Sequence, residues 1–304
     1  MPSATTSTNT PSTSTTNPAS TSNTASTAAS TTATTALDAT SSAQADNILL
    51  RHDAQGITTL SLNQADQFNV LSMQMLDLLI QELENIKQDP SVRVLIIQAE
   101  GKAFCSGHNL KQMRQNPEHA YQLELFNRCG QFMQALLTLP QPVIAKVHGI
   151  ATAAGCQLVA MCDLAIASEH AKFAVSGINV GLFCSTPAVA LSRNVGRKKA
   201  FEMLVTGEFI TAQQAQEWGL INQSVPAADL DKTVQDLAVK LCHKPAGSLA
   251  MGKQLFYQQL EQPISQAYTQ AAQVMADNMM LADTQEGLDA FMQKRVPSWA
   301  QAAS

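Results

Sequence analysis

Three short and almost wholly apolar runs restrict this chain to folds that contain a buried sheet. They are residues 92–98 (VRVLIIQ), Val143–Val147 (VIAKV) and residues 164–167 (LAIA). Each run has the length of a strand, and a strand without polar alternation is typical of a sheet that is covered on both faces. Helical patterns separate the runs, and strands that alternate with helices indicate a layered α/β core.

The segments around these runs have recognisable boundaries. Residues 48–52 and 57–62 predict the two strands of a hairpin, with a turn at residues 53–56. Ser72 begins a helix with apolar residues at helical spacing, and the Asp89-Pro90 pair ends it. Residues 118–139 are also predicted to be helical. From residue 198 onward the pattern is mostly helical, at residues 199–206, 212–218, 229–241, 248–259 and 264–283.

Residues 1–45 differ in composition from everything that follows. They are almost entirely Ser, Thr, Ala, Asn and Pro, with Asp38 as the only charged residue. Such a segment cannot bury enough apolar surface to offset the entropy lost on ordering, so we expect a disordered tail. We predict that residues 46–245 form the α/β core and that residues 246–304 form a helical C-terminal region.

The tail does not have the composition of a targeting segment. A mitochondrial transit peptide needs arginine, and the first basic residue here is Arg51. A secretory signal needs an apolar core that the tail lacks, and no run approaches the ~18 apolar residues of a membrane span. These observations predict a cytoplasmic protein with no membrane partner.

The charge balance and the cysteines exclude several classes of function. The chain has 19 Lys+Arg against 24 Asp+Glu and a net charge of −5, without a basic block, so nucleic acid is not an expected partner. The six cysteines lack C-x-x-C spacing, and we interpret them as buried free thiols. The histidines have no ligand-like spacing, so we expect no metal site.

Two junctions of small residues, residues 101–107 (GKAFCSG) and 151–156 (ATAAGC), each follow a buried strand. Small side chains let a ligand approach the backbone, and the second junction opens a helix, where free N–H groups favour negative charge. Two N–H groups that converge on one oxygen would form an oxyanion hole. Tight packing of a strand-to-helix turn would explain the same residues, and the pattern alone leaves both interpretations open.

Three longer segments resemble the enoyl-CoA hydratase/isomerase family, also called the crotonase family. The similarity extends over roughly residues 48–300 and includes residues 286–299 (EGLDAFMQKRVPSW), while the SGHNL and LFCSTP stretches resemble one branch of the family. The resemblance implies an α/β crotonase (ClpP-like) fold, in which a layered β-sheet core built from ββα units precedes a helical C-terminal region. The segments are residues 101–113 (GKAFCSGHNLKQM), 143–163 (VIAKVHGIATAAGCQLVAMCD) and 201–226 (FEMLVTGEFITAQQAQEWGLINQSVP).

The resemblance also implies a site for an acyl-CoA thioester. In the family pattern, the oxyanion donors fall on the backbone N–H groups of Ser106 and Ala154. Ser106, Gly107, His108 and Asn109 would lie along the acyl-CoA, near its adenine and pantetheine.

Further implications of the resemblance concern other subunits and cofactors. The C-terminal helices would complete the CoA site of a neighbouring subunit, which suggests roles for Phe291 and Lys294. The assembly would be a homotrimer or a dimer of trimers. No cofactor is implied beyond the CoA thioester, which is itself the substrate or ligand.

Gln157 and Gly177 stand where hydratases of this family have glutamates. Those two carboxylates hold a water molecule and exchange its proton with the α-carbon of the substrate. An amide can orient water but does not accept a proton at neutral pH, and glycine has no side chain. A positioned acid or base contributes roughly 10²–10⁴-fold, so efficient hydration by this mechanism is not expected. The oxyanion hole and CoA binding depend on backbone and shape, and both can persist.

Three other side chains are candidates to replace the carboxylates. His108 could transfer a proton because imidazole titrates near neutral pH, or it could line the CoA path or bond to the backbone. Cys184 and Ser185 would need an activating base, and the sequence shows none, so both could simply line the pocket. Asp163 follows a helix and precedes a strand, which fits a capping or turn role.

Two functions therefore remain open. The first is an enzyme of fatty-acid metabolism, a hydratase, isomerase or related enzyme that stabilises the enolate of a CoA thioester. Its activity would be weak or altered. The second is a non-catalytic acyl-CoA binder or regulator that has kept the fold and lost the carboxylates.

Overall fold

The computed structural model describes residues 48–301, and the predicted tail of residues 1–45 lies outside the described residues. The described part of the chain contains two sheets that pack within one α/β domain. The strands are β1 (Leu49–Ala54), β2 (Ile57–Leu62), β3 (Val94–Ala99), β4 (Ala103–Cys105), β5 (Val143–Val147), β6 (Ile150–Thr152), β7 (Leu164–Ser168), β8 (Lys172–Ala174), β9 (Ile210–Thr211) and β10 (Gln223–Val225).

The two sheets have different sizes but similar topology. The larger has six strands in the order β1-β2-β3-β5-β7-β10, and all neighbours are parallel except β1 and β2. The smaller has four strands in the order β4-β6-β8-β9, in which β4, β6 and β8 are parallel and β9 is antiparallel. From β3 to β8, consecutive strands enter the two sheets in turn, which matches the ββα units expected from the family resemblance.

Helices surround the sheets and form the C-terminal region. None of the described helices is both long and apolar enough to cross a membrane. The helices are α1 (Met73–Gln88), α2 (Leu110–Gln115), α3 (His119–Thr138), α4 (Ala154–Met161), α5 (Ser185–Asn194), α6 (Arg197–Thr206), α7 (Ala212–Glu217), α8 (Leu230–Cys242), α9 (Ala246–Gln259), α10 (Ile264–Met279), α11 (Ala282–Met292) and α12 (Ser298–Gln301).

In the central strand β3, the four residues from Val94 to Ile97 are all apolar and all buried. Leu95 and Ile97 point into the main core, whereas Val94 and Ile96 point to the opposite face, which α8 covers. Successive side chains of a strand alternate between faces, so a strand buried on both sides needs apolar residues at every position. The buried strand predicted at residues 92–98 is therefore confirmed, with bounds shifted by two residues or fewer.

Most of the predicted elements are present with small shifts in their ends. The Ser72 side chain accepts a hydrogen bond from the Met75 N–H and so caps α1 as predicted. The predicted helix at residues 264–283 is instead two helices, α10 and α11, because the chain turns after Met279. The smaller sheet was not predicted, because strands of two or three residues are too short to show a period.

A buried ion pair fastens the C-terminal region to the core. The Lys253 ammonium of α9 donates to the carbonyl oxygens of Leu136 and Gln141, at 2.8 and 2.9 Å. It also donates to Asp163 Oδ2 at 2.6 Å, while the Tyr257 hydroxyl donates to Asp163 Oδ1 at 2.8 Å. Only 7% of the Lys253 side chain is exposed, so the pair is largely shielded from water.

Asp163 therefore does more than the capping or turn role predicted for it. Its carboxylate also accepts a hydrogen bond from the Val143 N–H at 2.6 Å, at the start of β5. Burial lowers the pKa of Lys253, and the nearby Asp163 carboxylate offsets part of that effect. One side chain thus joins the turn before β7, the strand β5 and the helix α9.

Replacing Lys253 with methionine should destabilise the fold, because it leaves the partly buried Asp163 carboxylate without its cation. Loss of one partner of a buried pair typically costs about 3 kcal/mol of unfolding free energy, and we expect a loss of this size in urea titrations. Lys232→Met is the matched control, because its partner Asp236 lies on the exposed surface of α8. An equal effect of the two variants would contradict this role for Lys253.

Candidate active site

The candidate site lies where three parallel strands of the smaller sheet end. The carboxyl ends of β4, β6 and β8 share one edge of that sheet because the strands are parallel neighbours. The segments that follow them, around residues 106–109, 153–154 and 175–184, surround a cavity of about 260 Å³. The alternation of strands between the two sheets therefore brings together both small-residue junctions and the segment that contains Gly177.

The N–H group of Ser106 is not free to bind a ligand. It donates a hydrogen bond to the carbonyl oxygen of Phe68 at 3.0 Å, and the next N–H, of Gly107, is directed to the sulfur of Cys105. The N–H of His108 has no acceptor among the described residues. The prediction that Ser106 is an oxyanion donor is therefore corrected: the free N–H of this turn belongs to His108, and Ser106 lines the cavity beside it.

The second free N–H belongs to Ala154, as predicted. Ala154 is the first residue of α4, and the first N–H groups of a helix have no acceptor within it. The preceding Ala153 has φ 51° and ψ −121°, a conformation that strongly favours glycine. Its N–H donates to the carbonyl oxygen of Ala174 at 3.0 Å, which ties this turn to β8. Ala153 and Ala154 both line the cavity.

The two turns pack directly against each other at Gly107. This residue has φ +91°, and a Cβ atom built on it would lie 3.1 Å from the Ala154 nitrogen and 2.9 Å from the Ala153 Cβ. Only glycine satisfies both the backbone conformation and this close approach. The contact places the His108 and Ala154 turns side by side at one cavity.

Asn69 fixes the loop that leads from β3 into β4, ahead of the first turn. Its amide donates to the carbonyl oxygens of Glu100 and Ala103, each at 2.8 Å, and its Oδ1 accepts the N–H of Gln64. Asn69 is fully buried and has φ 54°, and asparagine is among the few residues that tolerate this region. An asparagine between strands is a common loop residue, so the sequence carries little sign of this role.

The imidazole of His108 packs against the protein. Its Nδ1 lies 3.1 Å from the carbonyl oxygen of Leu71, so Nδ1 carries the proton in the neutral ring. The ring contacts Phe126 edge-on with 5.5 Å between centroids, and Nε2 is buried with no partner among the described residues. Burial lowers the pKa of His108, and the Leu71 hydrogen bond offsets part of that shift. A neutral, packed imidazole fits the alternative that His108 bonds to the backbone.

Cys184 lines the cavity, and its thiol lies beside the N–H of Gly177. Its side chain is 7% exposed, and burial raises the pKa of the thiol, an effect that the N–H of Gly177 partly offsets. The Ser185 hydroxyl donates to the carbonyl oxygen of Phe183. Both residues are therefore placed as the wall of the cavity, which matches the alternative left open for them.

Four predicted ligand-binding residues do not line the cavity of their own chain: Gly107, Asn109, Phe291 and Lys294. Asn109 caps α2, because its Oδ1 accepts the N–H of Gln112 at 3.1 Å. Phe291 is 83% exposed near the end of α11, and Lys294 follows that helix with φ 55°. Any contact of Phe291 or Lys294 with CoA would therefore involve a cavity other than this one.

The walls of the cavity come largely from apolar residues that the sequence did not single out. Met113 of α2 and Phe126 of α3 form one side, and Val180, Leu182 and Phe183 form part of the other. Met113, Leu182 and Phe183 lie in stretches that carry the family resemblance, but only the folded chain shows that they line the cavity. No group of three or more His, Cys, Asp or Glu residues that could hold a metal ion exists in the described part of the chain.

A family model for enoyl-CoA hydratase/isomerase matches residues 52–302, which is more than half of the chain. The chain belongs to the enoyl-CoA hydratase/isomerase family. Enoyl-CoA hydratase domain-containing protein 3 of Xenopus laevis is 45% identical over 259 residues, covering 85% of this chain and 88% of the relative. This similarity confirms the branch of the family that the SGHNL and LFCSTP stretches indicated.

Two solved structures of the family are similar to this chain. An enoyl-CoA hydratase of Mycobacterium smegmatis has 55% identity and a TM-score of 0.82, over 83% of this chain and 98% of that one. Human enoyl-CoA hydratase domain-containing protein 3 has 44% identity and a TM-score of 0.81, over 83% of this chain and 100% of that one. The crotonase fold expected from the resemblance is confirmed.

The relatives correct the predicted location. The Xenopus laevis protein is mitochondrial by name, and so are its rat and human counterparts. The cytoplasmic location predicted for this family member is therefore wrong. That prediction depended on the lack of arginine in residues 1–45. The lack of arginine alone does not exclude a mitochondrial location.

The two positions at which the resemblance implies glutamates in hydratases, 157 and 177, differ in their surroundings. Gly177 lines the cavity, whereas Gln157, in the middle of α4, does not. Gln157 is 4% exposed, and its Oε1 has no hydrogen-bond partner among the described residues. A Cβ atom built on Gly177 would lie 2.5 Å from the Leu182 carbonyl oxygen and 2.8 Å from the Cys184 sulfur. The segment from Leu182 to Cys184 thus occupies the space that a side chain at position 177 would need.

Gly177→Ala should therefore destabilise the protein, although alanine is the smallest possible change. Inserting a methyl group into a filled site typically costs about 1–3 kcal/mol, and urea titration should show a loss in that range. Gly252→Ala is the matched control, because a Cβ on this α9 residue meets nothing within 4 Å and alanine favours a helix. Equal stability of the Gly177→Ala variant and the unchanged protein would show that this segment moves aside easily.

Proposed function

We propose that this family member binds acyl-CoA thioesters and polarises the thioester carbonyl with the backbone N–H groups of His108 and Ala154. The observation that supports this most is the pair of unpaired N–H groups on adjacent turns at one cavity. Two preorganised donors that face a site of limited water access stabilise negative charge on oxygen. One such donor typically contributes roughly 10²–10³-fold to the rate of acyl chemistry.

The chemistry at this cavity is the stabilisation of an enolate or a related oxyanion. As a bond to the α-carbon breaks or forms, negative charge develops on the thioester oxygen. The two N–H groups stabilise that charge. Hydration also requires proton transfers, which need an acid or base in the cavity. No carboxylate is among the residues that line it. We therefore expect turnover to be slow, or to use a proton carrier other than the two glutamates of the family.

The second candidate is a non-catalytic acyl-CoA binder or regulator. It is favoured by the lack of a carboxylate among the lining residues and by the filled space beside Gly177. Both candidates share the same bound state, since the two N–H groups hold the thioester oxygen in each. They differ only in whether product forms, which mass spectrometry on a panel of CoA thioesters measures directly.

We also expect the C-terminal helices to pack against another copy of the chain, in a trimer or a dimer of trimers. Large apolar side chains on α10 and α11, or in the turn between them, are exposed in the described chain, among them Tyr268, Met275, Met280 and Phe291. Exposed apolar patches of this kind mark interaction surfaces. In such an assembly Phe291 and Lys294 would be able to reach the CoA of a neighbouring subunit.

Ala154→Pro removes the N–H of the proposed donor at the first position of α4. Because the residue before a proline favours extended backbone and Ala153 has φ 51°, circular dichroism must first show that the variant folds. We expect it to weaken binding of an acyl-CoA thioester roughly 10-fold, the size of a charge-assisted or buried hydrogen bond. It should not change binding of the thioether analogue, which lacks the carbonyl oxygen. Isothermal titration calorimetry measures both ligands.

Ala282→Pro is the matched control for this variant. Ala282 is the first residue of α11, is exposed and does not line the cavity, so proline there should leave both ligands unaffected. If Ala154→Pro weakened the thioester and the thioether equally, the Ala154 N–H would not be the group that holds the carbonyl oxygen.

A further inference from the structure

A pair of hydroxyl groups joins the ends of two strands beside the site. Thr152 is the last residue of β6, and Ser176 lies two residues beyond the end of β8. Thr152 Oγ1 and Ser176 Oγ are 2.9 Å apart, and either can be the donor. Within the sheet, β6 and β8 pair in parallel as far as Thr152 and Ala174. The hydroxyl pair therefore extends the connection between the two segments beyond the last paired residues.

The turn that begins after Thr152 has a backbone conformation that needs support. Ala153 has φ 51° and ψ −121°, which a residue with a side chain rarely adopts. Such a conformation is kept only where the surrounding structure holds it in place. The Ala153 N–H donates to the carbonyl oxygen of Ala174 at 3.0 Å. The hydrogen bond between Thr152 and Ser176 is a second attachment of this turn to the chain at the end of β8.

The close packing at Gly107 cannot replace these attachments. Its contact with Ala153 and Ala154 is steric, so it stops the two turns from coming closer but does not stop them from moving apart. Hydrogen bonds resist separation, because they weaken steeply as donor and acceptor lose distance and alignment. The N–H of Ala154 follows Ala153 directly, so its direction depends on the φ and ψ of that residue. A small displacement of the turn is enough to weaken a hydrogen bond from this N–H to a ligand.

We infer that Thr152 is a positioning residue for the Ala154 N–H. The hydrogen bond between Thr152 and Ser176 keeps the turn at Ala153 in the strained conformation that leaves this N–H free at the cavity. Thr152 does not line the cavity, so it acts through the turn and not by contact with the ligand. The inference rests on the proposed function, in which the Ala154 N–H holds the thioester oxygen. It goes beyond that function by naming a side chain on which the geometry of the donor depends.

Thr152→Val tests this role, because valine keeps the shape of the side chain and removes the hydroxyl group. Isothermal titration calorimetry on the full chain compares hexanoyl-CoA with its thioether S-hexyl-CoA, which lacks the carbonyl oxygen. We expect Thr152→Val to weaken binding of hexanoyl-CoA ~3- to 5-fold, a part of the loss expected for Ala154→Pro, and to leave binding of S-hexyl-CoA unchanged. Thr152→Ser retains the hydroxyl group and should bind both ligands as the unchanged protein does.

Two further variants separate positioning from a general loss of stability. Thr58→Val is the matched control, because it removes a side-chain hydrogen bond to Asp53 from β2 of the larger sheet, and Thr58 does not line the cavity. It should lower the free energy of unfolding and leave the affinity for both ligands unchanged. In a Ser176→Ala protein, Thr152→Val should have no further effect on the ratio of the two affinities, because the partner of its hydroxyl group is already absent.

The outcomes distinguish this inference from the proposed function. If the unchanged protein bound hexanoyl-CoA more tightly than S-hexyl-CoA and Thr152→Val left that ratio as it was, the inference would be overturned and the proposed function would stand. Equal weakening of both ligands by Thr152→Val, or the same loss with Thr152→Ser, would also overturn the inference. If the unchanged protein bound the two ligands equally, the cavity would hold no carbonyl oxygen, and both would fail.

Discussion

The backbone at Gly107 packs so closely against Ala153 and Ala154 that no side chain fits between the two turns. This contact holds the turn after β4 against the turn after β6, and each turn presents one N–H group without an acceptor among the described residues. Ala153 holds a strained backbone conformation in the second turn, and the buried amide of Asn69 fixes the loop that leads into β4. The site is therefore made mainly of backbone, and its geometry depends on packing more than on any one reactive side chain.

The alternation of strands between two sheets makes this contact possible. Because β4, β6 and β8 are parallel neighbours in the smaller sheet, the segments that follow them emerge at one edge. The larger sheet supplies a core that is covered on both faces, and the Lys253–Asp163 pair attaches the C-terminal helices to it. The two free N–H groups belong to the backbone, so they do not depend on a carboxylate at position 157 or 177.

Much of the fold could be predicted from the sequence because it depends on local patterns. The apolar runs at β3 and β5, the cap at Ser72 and the helix that begins at Ala154 are all visible in a few consecutive residues. The smaller sheet was missed because its strands are too short to show a pattern. The branch of the family was also visible, in short stretches of sequence.

Within the site, the sequence indicated the correct turns but not the correct donor. The N–H of Ser106 is satisfied by the carbonyl oxygen of Phe68, which lies 38 positions earlier in the chain, and only the folded structure shows that pairing. The resemblance assigns the position of a family glutamate to Gln157, and in this chain that residue is buried and does not line the cavity. Such differences depend on contacts between distant segments, and no single motif records them.

The proposed function depends on a thioester oxygen held by the N–H groups of His108 and Ala154. Infrared difference spectroscopy of a bound acyl-CoA with a ¹³C-labelled carbonyl observes that oxygen directly. Two hydrogen bonds from a site of low water access should lower the carbonyl stretching frequency below its value in water. A frequency equal to or above that in water would contradict the account, because it would place the carbonyl oxygen away from both donors.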